Sequence, residues 1–256
     1  MRCDARCSAT RELTQRLQEQ VRLYPGRLLP CFFSSFLRAA CRLIAEWKGI
    51  RSWATVKDPD ASIILGRDGF EAAPVSDGDL SVWRMRFFAG GCGLPDYTNT
   101  DVCKFQGACF EAELRFTSDY PYGPPHFKFI GEVPYHPNVY HTDDAQHGDI
   151  CISMLHPPGR DAFNESESAQ QRWKSDYTIR AIGVNVLDLL GHPNMGGGKP
   201  ASAVVNGVLN DPMGIAKFQQ KTLECAKRSR EGAPKVTLCA TPFIQCIIVT
   251  LRTGCV

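Results

Sequence analysis

No two cysteines of this chain have the Cys-x-x-Cys spacing, although the sequence contains twelve cysteines in 256 residues. This lack argues against zinc ribbons and dithiol redox sites, which use that spacing. The first residues, MRCDARCSATRE, do not read as a secretory signal, so a disulfide scaffold is not expected. We interpret the cysteines as mostly reduced thiols in the cytosol or nucleus. At least eleven are expected to be small buried hydrophobic residues or exposed groups without a role.

A strong net charge is lacking as well, since the formal value is +2. Nothing global therefore argues for nucleic acid as a partner. The charge is uneven, because residues 1–51 hold ten Lys/Arg and four Asp/Glu. With 43% hydrophobic and 22% charged residues the composition is that of a globular protein. We expect no metal and no cofactor.

The two ends of the chain lack clear globular patterning. Residues 1–35 are a basic extension with helical spacing, interpreted as a disordered or weakly helical leader, with membrane or partner contact as the alternative. The apolar stretch 236–251 is shorter than the ~20 residues of a membrane span, and Pro242 and Gln245 interrupt it. We interpret it as a tail packed on the domain or an irregular appendage, with a membrane anchor as the alternative.

Periodicity between the two ends predicts an α+β layout. Residues 52–69 are rich in turn formers and receive no assignment, and residues 131–176 are expected to be mostly irregular. The predicted helices are 36–49, 178–190, 202–210 and 212–230, and the predicted strands are 80–88, 108–116 and 126–130.

The stretch HPNVYHTDDAQHGDICISML, residues 136–155, raises two interpretations of Cys151. In the first, Cys151 is a nucleophile and Asn138 serves it, because a thiolate suits thioester exchange and an amide N–H can stabilise an oxyanion without titrating. In the second, Cys151 is a buried thiol after a polar turn, and Asn138 caps the backbone locally. The residues alone leave both open.

The order of motifs resembles a ubiquitin-conjugating enzyme, or E2. The family has the same motifs in the same order. In this chain they are YP-x-x-PP in YPYGPPHFKF (120–129), a strand, HPN, G-x-x-C, Trp173 and a helix followed by PN. The likeness covers roughly residues 36–230, which leaves residues 231–256 as a hydrophobic tail. It implies the UBC fold: an N-terminal helix, a four-stranded antiparallel meander, an irregular catalytic segment and C-terminal helices. The long segment after Cys151, with its HxPG start, resembles the branch typified by the Ubc7 and G-type enzymes.

The resemblance implies a reaction and a set of site residues. Cys151 would accept ubiquitin from an activating enzyme (E1) as a thioester and pass it to lysine with a ligase (E3), while Asn138 donates to the oxyanion. The residues His136, Pro137 and Tyr135 would support the motif. Since the gate NMGGGKPAS has no carboxylate, acids of the long loop would lie near the attacking lysine, unless that loop is simply solvated. These acids are Asp161, Glu165 and Glu167.

Further implied contacts concern the partners. Arg38, Arg42 and Lys48 would contact the E1, with an ordinary solvated basic face as the alternative. Tyr122 and Trp173 would contact the E3, of the RING type, although KSD follows Trp173 where the family usually has Ser-Pro. We expect a cytoplasmic or nuclear protein, with ER-membrane association through the tail as the alternative.

Two departures and two further alternatives accompany the resemblance. The turn 139–148 is longer than the family's, and we expect it to bulge into solvent with its ends in place. The loop 89–107 is also enlarged. The alternative functions are a catalytically weak E2-like module that only binds ubiquitin or a partner, and an E2 for a ubiquitin-like modifier. The presence of both Cys151 and Asn138 favours the enzyme over the binding module.

Overall fold

The computed structural model describes residues 30–51, 55–57, 64–66, 69–76, 79–89, 98–143, 145–159, 167–194, 201 and 203–232. Residues 1–29 of the predicted leader, the tail 236–251 and the acids Asp161 and Glu165 lie outside these residues, whereas residues 30–35 belong to the first helix. The helices are α1 (Pro30–Arg51), α2 (Ile179–Gly191), α3 (Ala203–Leu209) and α4 (Gly214–Gly232). The strands are β1 (Thr55–Lys57), β2 (Ile64–Gly66), β3 (Phe70–Ser76), β4 (Asp79–Phe88), β5 (Cys109–Arg115) and β6 (His126–Ile130).

The main sheet is a four-stranded antiparallel meander in the order β3-β4-β5-β6, and β1 pairs with β2 in a separate hairpin. This confirms the predicted α+β architecture, in which helices precede and follow the strands of the sheet along the chain. The strands predicted by alternation are β4, β5 and β6. The structure adds β3, which periodicity missed because Phe70, Glu71, Ala72 and Ala73 are all buried, so that the first half of the strand shows no alternation of burial.

One face of the sheet carries a ladder of ion pairs. Arg86 on β4 binds Glu71 on β3 at 3.1 Å and Glu111 on β5 at 2.7 Å. Each pair joins neighbouring strands on the same face. The buried carboxylate of Glu71 is thus matched by a guanidinium, which is the condition for keeping a charge there.

The other face of the sheet forms the core with helix α2. Ile182 and Val186 of α2 are buried in the same cluster as Phe70. A Cβ on Gly183 would come within 2.3 Å of the Phe70 ring, so only glycine allows this close approach of helix and strand. The core thereby fixes α2, whose C-terminal end leads to the predicted gate.

Helix α1 is tied to the start of α2. Arg42 donates to Glu46 at 2.8 Å and to the carbonyl oxygen of Tyr177 at 2.8 Å, and Glu46 accepts the N–H of Ile179 at 3.2 Å. The bond from Ile179 satisfies a first-turn donor of α2 that has no partner within the helix, and the Arg42 bonds hold Glu46 and Tyr177, just before α2, together. Helix α1 begins at Pro30, ahead of the predicted start at residue 36. None of the helices in the described ranges is long and apolar enough to cross a membrane.

Candidate active site

The turn before Cys151 is held at its ends by backbone pairing. Cys151 donates its N–H to the carbonyl of Asn138 at 2.8 Å, and Tyr140 donates to Asp149 at 2.9 Å. Val139 forms an isolated antiparallel bridge with Ile150. The structure therefore confirms the expected bulge, since the enlarged turn leaves Asn138 and Cys151 paired at its base.

Gly148 gives the G-x-x-C motif its physical reason. Its φ of +87° is a conformation that favours glycine, and an added Cβ would lie 2.3 Å from the carbonyl oxygen of Phe129. Its own carbonyl accepts the N–H of Phe129 at 2.8 Å. Glycine at this position therefore lets the segment before Cys151 lie against strand β6.

His136 supports the turn as a neutral, buried group. It is fully buried, and its Nδ1 accepts the N–H of Asn138 at 3.1 Å. Burial lowers the pKa of His136 to about 3, so the ring carries no charge at neutral pH. Pro137 is also buried, and Tyr135 packs against Phe218 with ring centroids 5.7 Å apart. The supporting role predicted for these three residues fits their positions.

The side chain of Asn138 joins this turn to the segment after α2. Its Nδ2 donates to the carbonyl of Asn194 at 2.9 Å, and its Oδ1 accepts the N–H of Asn194 at 2.9 Å. The residue is only 5% exposed. Because Nδ2 carries two hydrogens, one can hold the gate while the other remains for an oxyanion. A catalytic donor role for Asn138 stays a prediction, and a positioning role is directly visible.

Beyond the turn, the partly exposed thiol of Cys151 faces a charged array. Its Sγ lies 3.9 Å from Nε2 of His156, and Nδ1 of His156 lies 2.9 Å from the carboxylate of Glu167. Arg172 binds the same carboxylate at 2.6 Å. Sequence reasoning assigned no role to His156 or Arg172. The signal for the first was the histidine of the HxPG start, which follows the cysteine closely on the same loop.

His156 is held in its charged form by this environment. The pKa of His156 is raised to about 9, first by its interaction with Cys151. Burial opposes the rise, whereas the hydrogen bond and the charge of Glu167 add to it. The imidazole of His156 thus lies beside the sulfur of Cys151 in its protonated form.

Glu167 was predicted as an acid near the attacking lysine, and the structure places it behind His156. Burial would raise its pKa, but hydrogen bonds from Ser153 and His156 and the charges of His156 and Arg172 together hold the pKa below its ordinary value. At 7% exposure its carboxylate is engaged with these groups. Glu167 therefore acts on the site through His156 rather than as a solvated acid.

The other described cysteines differ from Cys151. Cys103, Cys109 and Cys225 are buried, and burial raises the pKa of their thiols to about 12, 11 and 12 respectively. They behave as small core residues, as expected. Cys41 is exposed on helix α1. No group of residues suited to a metal ion occurs within the described ranges.

The residues predicted to contact the E1 lie on helix α1. Arg38 is exposed, and its guanidinium lies 5.9 Å from the centroid of the Tyr122 ring. Arg42 is engaged in the bonds to Glu46 and Tyr177 that join α1 to α2. Lys48 lies in the same helix, but its side chain is outside the described part.

The structure corrects the predicted E3 contact of Trp173. Its side chain is only 2% exposed, and its Nε1 donates to the carbonyl of Pro121 at 2.7 Å. A buried ring cannot contact a ligase, so Trp173 instead joins its loop to the proline-rich turn. Tyr122, next to Pro121, is 61% exposed and remains available for a partner.

Comparison with known proteins shows the family to which this chain is related. The family profile described as ubiquitin-conjugating enzyme matches residues 66–213. A "probable ubiquitin-conjugating enzyme E2 7" of Caenorhabditis elegans is 34% identical over 164 residues, covering 64% of this chain and 87% of that protein. "Ubiquitin-conjugating enzyme E2 14" of Arabidopsis thaliana is 32% identical over 164 residues, covering 64% and 86%.

A third relative is "ubiquitin-conjugating enzyme E2-18 kDa" of Schizosaccharomyces pombe, 38% identical over 129 residues, covering 50% of this chain and 68% of that protein. Such enzymes work with ubiquitin, an E1 and an E3. Together with the UBC architecture and the long loop after Cys151, these matches favour the enzyme over a binding module. The chain belongs to the ubiquitin-conjugating enzyme family of transferases, in its Ubc7-type branch.

Proposed function

We propose that Cys151 is the residue on which this enzyme carries ubiquitin. The thiolate attacks the C-terminal carbonyl of ubiquitin bound to the E1, the carbonyl's bond to the E1 sulfur breaks, and a thioester forms on Cys151. A substrate lysine then forms an amide bond, and the thiolate leaves. The observation that carries this assignment is the placement of a partly exposed Cys151 Sγ 3.9 Å from a histidine whose pKa is raised, at the base of the HPN turn.

Asn138 is assigned a donor role in the second transfer. The tetrahedral intermediate carries an oxyanion, and a preorganised amide donor next to it is worth roughly 10²–10³ in rate. The bonds to Asn194 support this role by fixing the amide plane. His136, Pro137 and Tyr135 maintain the turn, and they take no part in the bond changes.

The finer partner assignments rest on exposed surfaces. Arg38 of helix α1 and the neighbouring Tyr122 are offered as contacts for the E1 and for a RING-type E3, respectively. Activation depends on ATP through the E1. We place the enzyme in the cytoplasm or nucleus. The alternative is association with the ER membrane through residues 236–251, which cell fractionation tests.

A charging assay with E1, ATP and ubiquitin tests the proposal. The wild-type protein is expected to form an adduct that reducing agents remove. Cys151→Ala should form none, and Cys151→Ser should form a reductant-resistant oxyester or none. Cys41→Ala is the matched control, because Cys41 is an exposed cysteine on helix α1, far from Cys151 in sequence, and it should charge normally. Charging of Cys151→Ala on another cysteine would overturn the assignment, and parallel assays with ubiquitin-like modifiers identify the modifier.

A further inference from the structure

Cys151, His156 and Glu167 form a row whose hydrogen-bond directions are fixed. A carboxylate only accepts hydrogen bonds, so Nδ1 of His156 must carry the hydrogen that points to Glu167. In the neutral ring, Nε2 then presents its lone pair toward Sγ of Cys151, 3.9 Å away. An imidazole oriented in this way by a carboxylate is the arrangement that removes a proton from a hydroxyl group in nucleophilic catalysis.

The backbone and the charges around His156 keep this row in place. His156 donates its N–H to the carbonyl of Ser153 at 3.0 Å, and its carbonyl accepts the N–H of Trp173 at 3.1 Å. Arg172 binds Glu167 at 2.6 Å and the carbonyl of Pro157 at 3.2 Å. The imidazole is thus anchored from both ends of the loop, and Nε2 has a defined position relative to the sulfur.

We propose that the Cys151 thioester also transfers its acyl group to hydroxyl acceptors, such as serine or threonine side chains, with His156 as the general base. This inference rests on the proposed function of Cys151. The hydroxyl oxygen bonds to the thioester carbonyl carbon, its proton passes to Nε2, and the carbon–sulfur bond breaks. The proton then returns from Nε2 to the leaving sulfur, so the step needs no further reactant. An oxygen attacking the carbon attached to Sγ would lie within the ~3 Å hydrogen-bond reach of Nε2.

Acylation itself would prepare His156 as a base. In the free enzyme the pKa of His156 is about 9, with the interaction with Cys151 as the first cause. The thioester removes that partner and its charge, whereas burial still lowers the pKa and Glu167 still raises it. Arg172 offsets part of the charge of Glu167, and Tyr140, which interacts with Cys151, has a raised pKa and is uncharged. The imidazole therefore loses its proton more readily in the enzyme that carries ubiquitin as a thioester on Cys151.

Hydroxyl acceptors depend on such a base more than lysine does. A lysine amine, with a pKa of ~10.4, becomes a strong nucleophile once it has lost its proton to solvent. A hydroxyl group remains protonated throughout the physiological range, so its proton must be removed during the attack. A hydroxyl acceptor also has no titration of its own near neutral pH, and the pH profile of its reaction reports the base of the enzyme.

The test uses full-length enzyme charged with ubiquitin, separated from E1 and ATP, and mixed with an N-acetylated peptide that has one serine and no lysine. A peptide with alanine in place of serine is the acceptor control. The wild-type enzyme should form an ester that survives reducing agents and is cleaved by hydroxylamine. His156→Asn and His156→Gln, loaded to completion with excess E1 and isolated as the Cys151 thioester, should form the ester ~10²–10⁴-fold more slowly than the isolated wild-type thioester, the usual size of a general-base effect.

Two further variants distinguish the base from its surroundings. Glu167→Gln removes a charge that raises the pKa of His156, so the midpoint of its pH–rate profile should move to lower pH. His192→Asn should behave as wild type, because His192 also pairs with a carboxylate, Asp188 at 3.2 Å, but lies on an exposed helix end. Melting curves confirm that each variant is folded.

Two results would overturn the inference while leaving the proposed function intact. One is a charged wild-type enzyme that makes no more ester with the serine peptide than with its alanine counterpart. The other is a normally charged His156→Asn enzyme that makes ester at the wild-type rate. If Cys151 is not charged at all, the proposed function itself fails, and the charging gel records that outcome separately.

Discussion

His136 and His156 precede and follow Cys151 in sequence, and their environments differ completely. His136 is fully buried, and burial lowers its pKa to about 3. His156 is half-buried between Cys151 and Glu167, and its pKa is raised to about 9. The comparison shows that the histidine of the most recognisable motif is a neutral structural group, whereas the charged histidine lies in the long loop that follows the cysteine.

The segments that contain these histidines are stabilised in different ways. Residues 136–143 and 145–150 are held by backbone hydrogen bonds, a backbone bridge and the side chain of Asn138. Residues 152–159 and 167–173 are joined near the site by ionic contacts among His156, Glu167 and Arg172. Changes in the first segment should therefore alter geometry, and changes in the second should alter the pH dependence.

The largest effect in the first segment is expected for Asn138→Ala. The variant loses a donor that is worth roughly 10²-fold in discharge to lysine. It also loses both bonds to Asn194, which should lower stability by roughly 1–2 kcal/mol. Charging from the E1 should persist, because thiol exchange demands less of this donor. Single-turnover discharge of the charged enzyme, run beside a melting curve, measures both effects.

Two further variants sharpen this test. Asn194→Ala keeps the backbone groups that bind Asn138 and should discharge close to the wild-type rate. Asn138→Asp should be no better than Asn138→Ala, since a carboxylate offers no donor and repels the developing charge. An unchanged discharge rate in stably folded Asn138→Ala would remove Asn138 from the mechanism. Equal losses of charging and discharge would assign it to positioning alone.

The smallest effect is expected from shortening the enlarged turn. Replacing residues 142–146 by two glycines should preserve charging and discharge, because the pairing at the base involves Val139, Tyr140, Asp149 and Ile150. The exposed tip contributes a hydrogen bond from Lys128 to the carbonyl of Ala145 at 2.6 Å and one from the N–H of Asp149 to the carbonyl of Gln146 at 2.9 Å, and their loss should cost little. Loss of folding, seen by circular dichroism, would show that the tip is packed.

The sequence predicted the parts of the fold that are governed by periodicity and by motif order. Strands β4 to β6 and helix α2 followed from the spacing of their apolar residues. Strand β3 did not, because Glu71 is buried by its ion pair with Arg86 and the alternation is lost. The exposed position of Tyr122 agreed with its predicted role, but the burial of Trp173 depends on distant packing that no local pattern reveals.

The sequence predicted the candidate site in part as well: it pointed to the residues of short motifs and missed contacts made by the long loop. HPN and G-x-x-C pointed to Cys151 and Asn138, which the structure pairs at the base of the turn, and the catalytic roles of both residues stay predictions. The row from Cys151 through His156 to Glu167 was missed because it depends on how a long, irregular loop folds back. Glu167 was proposed as an acid from its place in that loop, but its partners His156 and Arg172 emerged only from the three-dimensional contacts.

The contrast between the two histidines is tested most directly by an NMR titration of the imidazole signals in the wild-type protein and in Cys151→Ser. The pKa of His156 is raised above its ordinary value of 6.5, so His156 keeps its proton at neutral pH. The stability that its ion pair with Glu167 provides is full below about pH 6.5 and is lost as the pH rises through about 9. In the wild-type protein His156 should titrate near pH 9, and in Cys151→Ser its midpoint should fall because the interaction with the Cys151 sulfur, the first cause of the raised pKa, is lost. His136 should show no titration between about pH 5 and pH 10 in either protein. A midpoint of His156 that is the same in both proteins, or a titration of His136 within that range, would contradict the account.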